Sequence, residues 1–200
     1  MYVNILRFEK VRTYYSKPRY KNENKHSLVE GPEMELYVAN VNSATVFGGS
    51  DIIQLEHNHL IYDLKMIKEI SEIVKYTDDL LWRDFGENCI IKKMKNNKSL
   101  QSGIYLGGEH SWNYFHLMIQ ILSKFNYVNS TLIDIEVPVL VDRAIEKVFN
   151  FEHLLGLFNK QSRRIIYLDR DTSYNVNSLF IISQQSIIIP NYKPKKEIKA

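Results

Sequence analysis

The sequence predicts an α/β fold in which short antiparallel strands precede a β-α-β-α-β unit. Three observations predict it. Short apolar runs, separated by turn residues, crowd the stretch from Leu36 to Tyr62. From Ile104 onward the pattern becomes strand, helix, strand, helix, strand, which calls for a parallel sheet with right-handed crossovers, a Rossmann-like unit. Hydrophobic residues make up 44% of the 200, enough for an ordinary globular core.

Residues 1–35 read as an irregular polar arm, because Arg12 to Glu35 is polar and Pro18, Gly31 and Pro32 break it. Four strands follow: Leu36–Ala39, Ala44–Phe47, Asp51–Glu56 and Leu60–Tyr62. Gly48-Gly49-Ser50 and His57-Asn58 supply turns between them. Ile67, Ile70, Val74 and Leu81 recur at helical spacing and predict a helix from Lys65 to Trp82. Asn88–Met94 and Gln101–Leu106 read as strands around a turn at Asn96–Ser99. A helix from Trp112 to Tyr127 comes next, with Phe115, Met118, Ile119, Leu122 and Phe125 as its core face. Val137–Val141 is a strand, with Pro138 at its start or on an edge. Arg143 to Leu157 reads as a helix broken near Asn150 and stopped at Gly156. Arg164–Leu168 and Asn175–Ser183 are the last strands.

Composition narrows the function classes. Net charge is only +3, which gives nucleic-acid binding little support. The basic residues gather at the ends, in Lys10–Lys25 and at Lys193, Lys195, Lys196 and Lys199. Such ends are solvated tails, or attract an anionic membrane surface or glycan. Mean hydropathy is −0.29, and no run approaches the roughly 20 apolar residues that span a bilayer. The first ten residues lack the apolar core of a signal peptide, so the expected location is cytoplasmic. The single cysteine, Cys89, cannot form an internal disulfide and reads as a small buried strand residue. Thirteen tyrosines offer flat amphipathic surface that suits sugar rings and also fills ordinary strands.

The stretch richest in chemistry is Gly107-Gly108-Glu109-His110-Ser111-Trp112-Asn113-Tyr114-Phe115-His116. Two glycines follow a strand, and Ser111 is placed to cap the helix after it. Ligands of open α/β sheets bind beyond the carboxyl ends of the strands, and a helix N-terminus there favours negative charge. Asn113, His116 and Gln120 form a polar stripe on that helix, which reads either as a solvated face or as groups turned to a crevice. Metal readings are weaker. His110 and His116 are six residues apart, unlike the i, i+4 pair of zinc proteases, and His57 and His59 read as surface. No P-loop, G-x-S-x-G elbow or Walker-type lysine is present.

Asn113-Tyr114-Phe115-His116, continuing Leu-Met-Ile-Gln-Ile-Leu-Ser-Lys-Phe, resembles the Asn-Tyr-Tyr-His signature of glycosyltransferase family 61. Many bacterial members of that family are capsular polysaccharide biosynthesis proteins. Val137–Asp142, Phe151–Leu157, Arg164–Leu168 and Tyr174–Ile181 resemble the elements that follow the signature, and Ala44–Ser50 resembles the strands before it. The likeness spans most of Leu36 to Ile189. Its departure is the family's His-Gly-Ala segment, since no His-Gly pair occurs in this sequence.

The resemblance implies one half of a GT-B-like architecture. Residues 36–190 would be the acceptor-side Rossmann-like half, and 191–200 a basic tail where the donor-binding half should begin. It implies inverting transfer of a sugar from a nucleotide-sugar to a glycan or protein acceptor, in capsule or surface polysaccharide synthesis. On that expectation the chain is a truncated, inactive half whose donor contacts lie elsewhere. Its partners are then the acceptor and a missing donor half, with no cofactor, no metal and no nucleic acid. A peripheral place at the inner face of the membrane would suit the basic ends. The base is expected among His116, Glu109 and Asp142, with His116 first, since neutral imidazole takes a proton near pH 7. Asn113, Trp112, Tyr114, Gly107, Gly108 and Gln120 would bind substrate, the two aromatics by stacking. The alternatives are a non-catalytic glycan- or partner-binding module and an inactive gene fragment.

Overall fold

The computed structural model describes residues 3–16, 28–61, 78–84 and 89–183. The molecule is mixed α/β. Its strands are β1 (Val3–Ser16), β2 (Leu28–Phe47), β3 (Ile53–Gln54), β4 (Leu60–Ile61), β5 (Leu81–Asp84), β6 (Cys89–Ile91), β7 (Asn96–Tyr105), β8 (Val139–Asp142), β9 (Ile165–Leu168) and β10 (Thr172–Ile182). Eight of them form one sheet in the order β4-β3-β2-β10-β7-β8-β9, with β1 beside β2. Pairing is antiparallel from β4 to β10 and parallel from β10 to β9. The hairpin β5-β6 stands apart.

The strands follow from period-two patterning. In β10, Tyr174 and Val176 are buried while Asn175 and Asn177 are exposed. All of Val139-Leu-Val-Asp142 is buried, as a parallel strand covered on both faces requires. Pro138 lies just before β8, and its carbonyl accepts from the Ile104 N–H. β7, β8 and β9 are joined by helical connections, so the expected strand-helix alternation is present. The first connection holds α1 (Tyr114–His116), a π turn (Leu117–Ile121), a 3-10 turn (Leu122–Lys124) and α2 (Phe125–Ser130). The second holds a 3-10 turn (Arg143–Lys147) and α3 (Phe151–Phe158).

Several expectations are corrected. Val3–Ser16 and Leu28–Glu35 are paired strands rather than an irregular arm, because a ladder is made by backbone N–H and C=O groups and does not require apolar side chains. The strands expected at Leu36 and Ala44 are one strand, β2. Asn96–Ser99 is no turn but the start of β7, paired with Thr172–Asn175. Of the helix expected at Lys65–Trp82, residues 65–77 lie outside the described residues, and Leu81–Trp82 begins β5. Gly156 lies inside α3, and Asn159 caps it instead. The basic tail at 191–200 lies outside the described residues, and Cys89 is half-buried.

The sheet folds back on itself. Leu168 is level with Asp142, two residues past the Leu140–Tyr105 pair, whereas Thr172 is level with Asn96. In a flat sheet those levels would be about 35 Å apart, yet three intervening residues reach only about 14 Å. The β2-β10-β7 ribbon therefore bends over β8 and β9. A core of Val46, Ile53, Tyr105, Leu140, Leu168, Tyr174 and Leu179 fills the fold. A second core, with Ile104, Val139, Val141, Leu117, Phe125 and Leu155, lies under the helices.

Gly48 closes the bend. A Cβ there would overlap the backbone carbonyl of Asp169, while a Cβ at Gly156 would meet nothing within 4 Å. Gly48→Ala should therefore lower stability by about 1–3 kcal/mol. Gly156→Ala should raise it by about 0.5–1 kcal/mol, as in a helix interior. Urea unfolding of the two variants checks this, and a neutral Gly48→Ala would refute the close approach.

Candidate functional site

The segment after β7 carries the site. Leu106, Gly107 and Gly108 leave the carboxyl end of the strand, turns cover Glu109–Trp112, and α1 begins at Tyr114. The cap is Asn113, whose side-chain oxygen accepts from the Phe115 N–H at 2.9 Å. Ser111 is not the cap. It is fully buried, and its hydroxyl donates to Asp142 Oδ2 at 2.7 Å.

The Gly-Gly turn already holds an anion, the carboxylate of Asp51. Asp51 Oδ1 accepts from the Gly108 N–H at 2.8 Å and the Glu109 N–H at 3.4 Å. The glycines permit this approach. Gly107 has φ +95°, and a Cβ there would overlap Asp51 Oδ1. A Cβ at Gly108 would press on Asp142 and on the Gly49 and Ser50 nitrogens at 3.2 Å. Asp51 is placed by Asp78, which accepts from Ser50 Oγ at 2.7 Å and the Asp51 N–H at 3.0 Å. The Tyr105 hydroxyl donates to the Ser50 carbonyl, and the buried Lys124 ammonium donates to the Leu106 carbonyl at 2.8 Å.

Glu109 is 6% exposed, with Oε1 3.5 Å from His110 Nε2 and no partner for Oε2 among the described residues. Burial first, then the charges of Asp78, Asp51 and Asp79, pushes its pKa up to about 8. It is therefore largely protonated at neutral pH. Burial, then His116, lowers His110, which stays neutral there. The His110 and His116 rings lie 5.2 Å apart. His116 Nδ1 meets Gln120 Oε1 at 2.7 Å. With an amide oxygen as partner, Nδ1 carries the proton and Nε2 is the basic nitrogen.

Asp142, at the end of β8, is fully buried. Its Oδ2 accepts from Ser111 and from Arg170 Nη2 at 3.4 Å. Trp112 and Tyr114 are 48% and 59% exposed beside the loop, with Phe115 and Ile119 also exposed. Those last two were expected in the core. The π turn adds about one residue to a helical turn and shifts the buried face to Leu117, Ile121, Leu122, Phe125 and Val128.

No family model, curated protein or solved structure matches the chain.

The fold thus gathers Gly107, Gly108, Glu109, His116, Gln120 and Asp142 around one strand end, and leaves Trp112 and Tyr114 on its rim. Sequence reasoning missed Asp51, Asp78, Lys124 and Arg170. Only Lys124 left a trace, as a lysine on the apolar stripe of Leu117, Ile121 and Val128. Among the described residues no group of three His, Cys, Asp or Glu side chains could hold a metal ion.

Glu109 makes stability depend on pH. Its pKa is about 8 in the folded chain against an ordinary 4.5. The folded state therefore holds a proton that the unfolded state releases, and stability falls between about pH 4.5 and 8. Glu109→Gln stays neutral, so relative to wild type it should gain roughly 3–5 kcal/mol between pH 5 and pH 9. Urea unfolding at the two values reads this directly. A parallel pH dependence in both proteins would place the Glu109 carboxyl in water.

Proposed function

We propose that the Gly107–His116 loop is the acceptor-activating segment of a sugar transferase of the family 61 kind. The observation that carries the reading is His116, in the Asn113–His116 motif, with its tautomer set by Gln120 and exposed aromatic rings beside it. The helically connected parallel strands β7, β8 and β9 would form part of one Rossmann-like half of a GT-B-like enzyme. The donor would be a nucleotide-sugar and the acceptor a glycan or glycosylated protein.

In inverting transfer, an acceptor hydroxyl attacks the anomeric carbon as the bond to the diphosphate breaks. The hydroxyl proton goes to a base. His116 Nε2 is assigned that role. Glu109 is a poorer base at neutral pH because its own proton is still bound, and its role is to donate a hydrogen bond. Asp142 is enclosed by Ser111 and Arg170, out of an acceptor's reach, so it is assigned to hold the loop against β8. Gly107 and Gly108 serve the clasp on Asp51 rather than a substrate phosphate. Trp112 and Tyr114 would stack on sugar rings.

Transfer of labelled sugar from a panel of nucleotide-sugars to glycan acceptors tests the reading, with the native-length protein. His116→Ala should lower turnover by about 10²–10⁴-fold, the usual worth of a general base, with thermal unfolding unchanged. Trp112→Ala should weaken glycan binding by about tenfold, a little over 1 kcal/mol. Full turnover in His116→Ala would remove it as the base. A protein that binds glycans through Trp112 but transfers nothing from any donor would be a binding module instead.

A further inference from the structure

A second feature adjoins the site. Between the Lys92–Lys95 loop and the Gly48–Gly49 turn lies a cleft of about 270 Å³, close to the small end of small-molecule sites. Lys92, Lys93, Lys95 and Arg170 line it, against the carboxylates of Asp79 and Asp171. Cations are therefore in excess. Among the described residues, Lys92, Lys93 and Lys95 form no ion pair. Arg170 is tethered, with Nη2 3.4 Å from Asp142 and Nη1 4.0 Å from Asp79.

The lysines are borne on a fixed backbone. The Lys92 N–H donates to the Leu80 carbonyl at 2.8 Å and the Lys95 N–H to the Asp171 carbonyl at 3.0 Å. Met94, between them, packs on the core of Phe47, Ile52 and Leu80. Among the described residues no carboxylate pairs with these three lysines, so an anion entering the cleft meets positive charge that is not already neutralised. The cleft also touches the site. Its floor, Gly49 and Ser50, lies against Gly108, and Arg170 reaches from it to Asp142.

We propose that this cleft binds the anionic group of a saccharide, either a uronate carboxylate or a sugar phosphate. The saccharide part rests on the transferase reading above, and the anion part rests on the cleft itself. An acceptor seated here by its charge would extend past Gly49 toward Glu109 and His116.

Calorimetric titration of the whole chain at low salt provides the test. Its probes are a tetragalacturonate and its neutral methyl ester, glucose 6-phosphate and glucose, and inorganic phosphate. The charged member of at least one saccharide pair should bind about tenfold or more tighter than the neutral one, and lose that margin in 0.5 M NaCl. The preferred pair identifies carboxylate or phosphate. Lys92→Gln with Lys95→Gln, both at exposed positions, should abolish the margin and leave neutral binding and thermal unfolding unchanged. Equal binding of charged and neutral saccharides, or wild-type binding by the double variant, would overturn the proposal while leaving the transferase reading intact. Binding of inorganic phosphate with no saccharide bound would overturn the saccharide assignment and count against the transferase reading too.

Discussion

The arrangement turns on one carboxylate. Asp51 sits inside the Gly107–Gly108 turn and accepts from the N–H groups of Gly108 and Glu109. The protein's own anion occupies those N–H groups. That contact ties the loop after β2 to the carboxyl end of β7, across the bend of the sheet. It demands glycine at 107, where any side chain would strike Asp51. It also brings a negative charge close to Glu109, and that charge helps keep Glu109 protonated. Burial and Asp78 contribute more to that protonation, so Asp51 sets the geometry of the turn and adds to the protonation beside it.

The parts of the fold legible in the sequence are those set by local pattern. The strands β8 to β10 and the break at Asn150 follow from alternation and turn chemistry, and the chain does bend there into left-handed φ. The bend of the sheet was not legible. It depends on a three-residue turn joining strands whose registers are fixed by β7 and β8, far away in the chain. The arm was misread for a related reason, because its polar residues are ordered by a ladder to a strand rather than by their own pattern. At the site, the loop and its place at a strand end were legible from glycines followed by a helix. The clasp was not, since Asp51 and Gly108 are 57 residues apart. The π turn defeated the helical face, because a period of 3.6 assumes no inserted residue.

Charge is sorted across the site. Asp51, Asp78 and Asp142 lie inward, each held by N–H or hydroxyl donors, while the lysines of the cleft face outward. Arg170 joins the two zones. Asp142 is fully buried, and a buried carboxylate is tolerable only with donors around it. Ser111 supplies a neutral donor from the loop and Arg170 a charged one from the turn between β9 and β10, so Asp142 ties both segments to the end of β8.

The neutrality of Glu109 bears on the proposed base, His116. An ionised Glu109 would favour a protonated His110, 3.5 Å from its carboxyl. That imidazolium would stand 5.2 Å from the His116 ring. Burial and the surrounding aspartates prevent the first step by keeping Glu109 protonated. His110 then stays neutral, and the His116 ring has no cationic imidazole beside it. The neutrality of His110 rests first on its own burial, and an uncharged Glu109 beside it leaves that undisturbed.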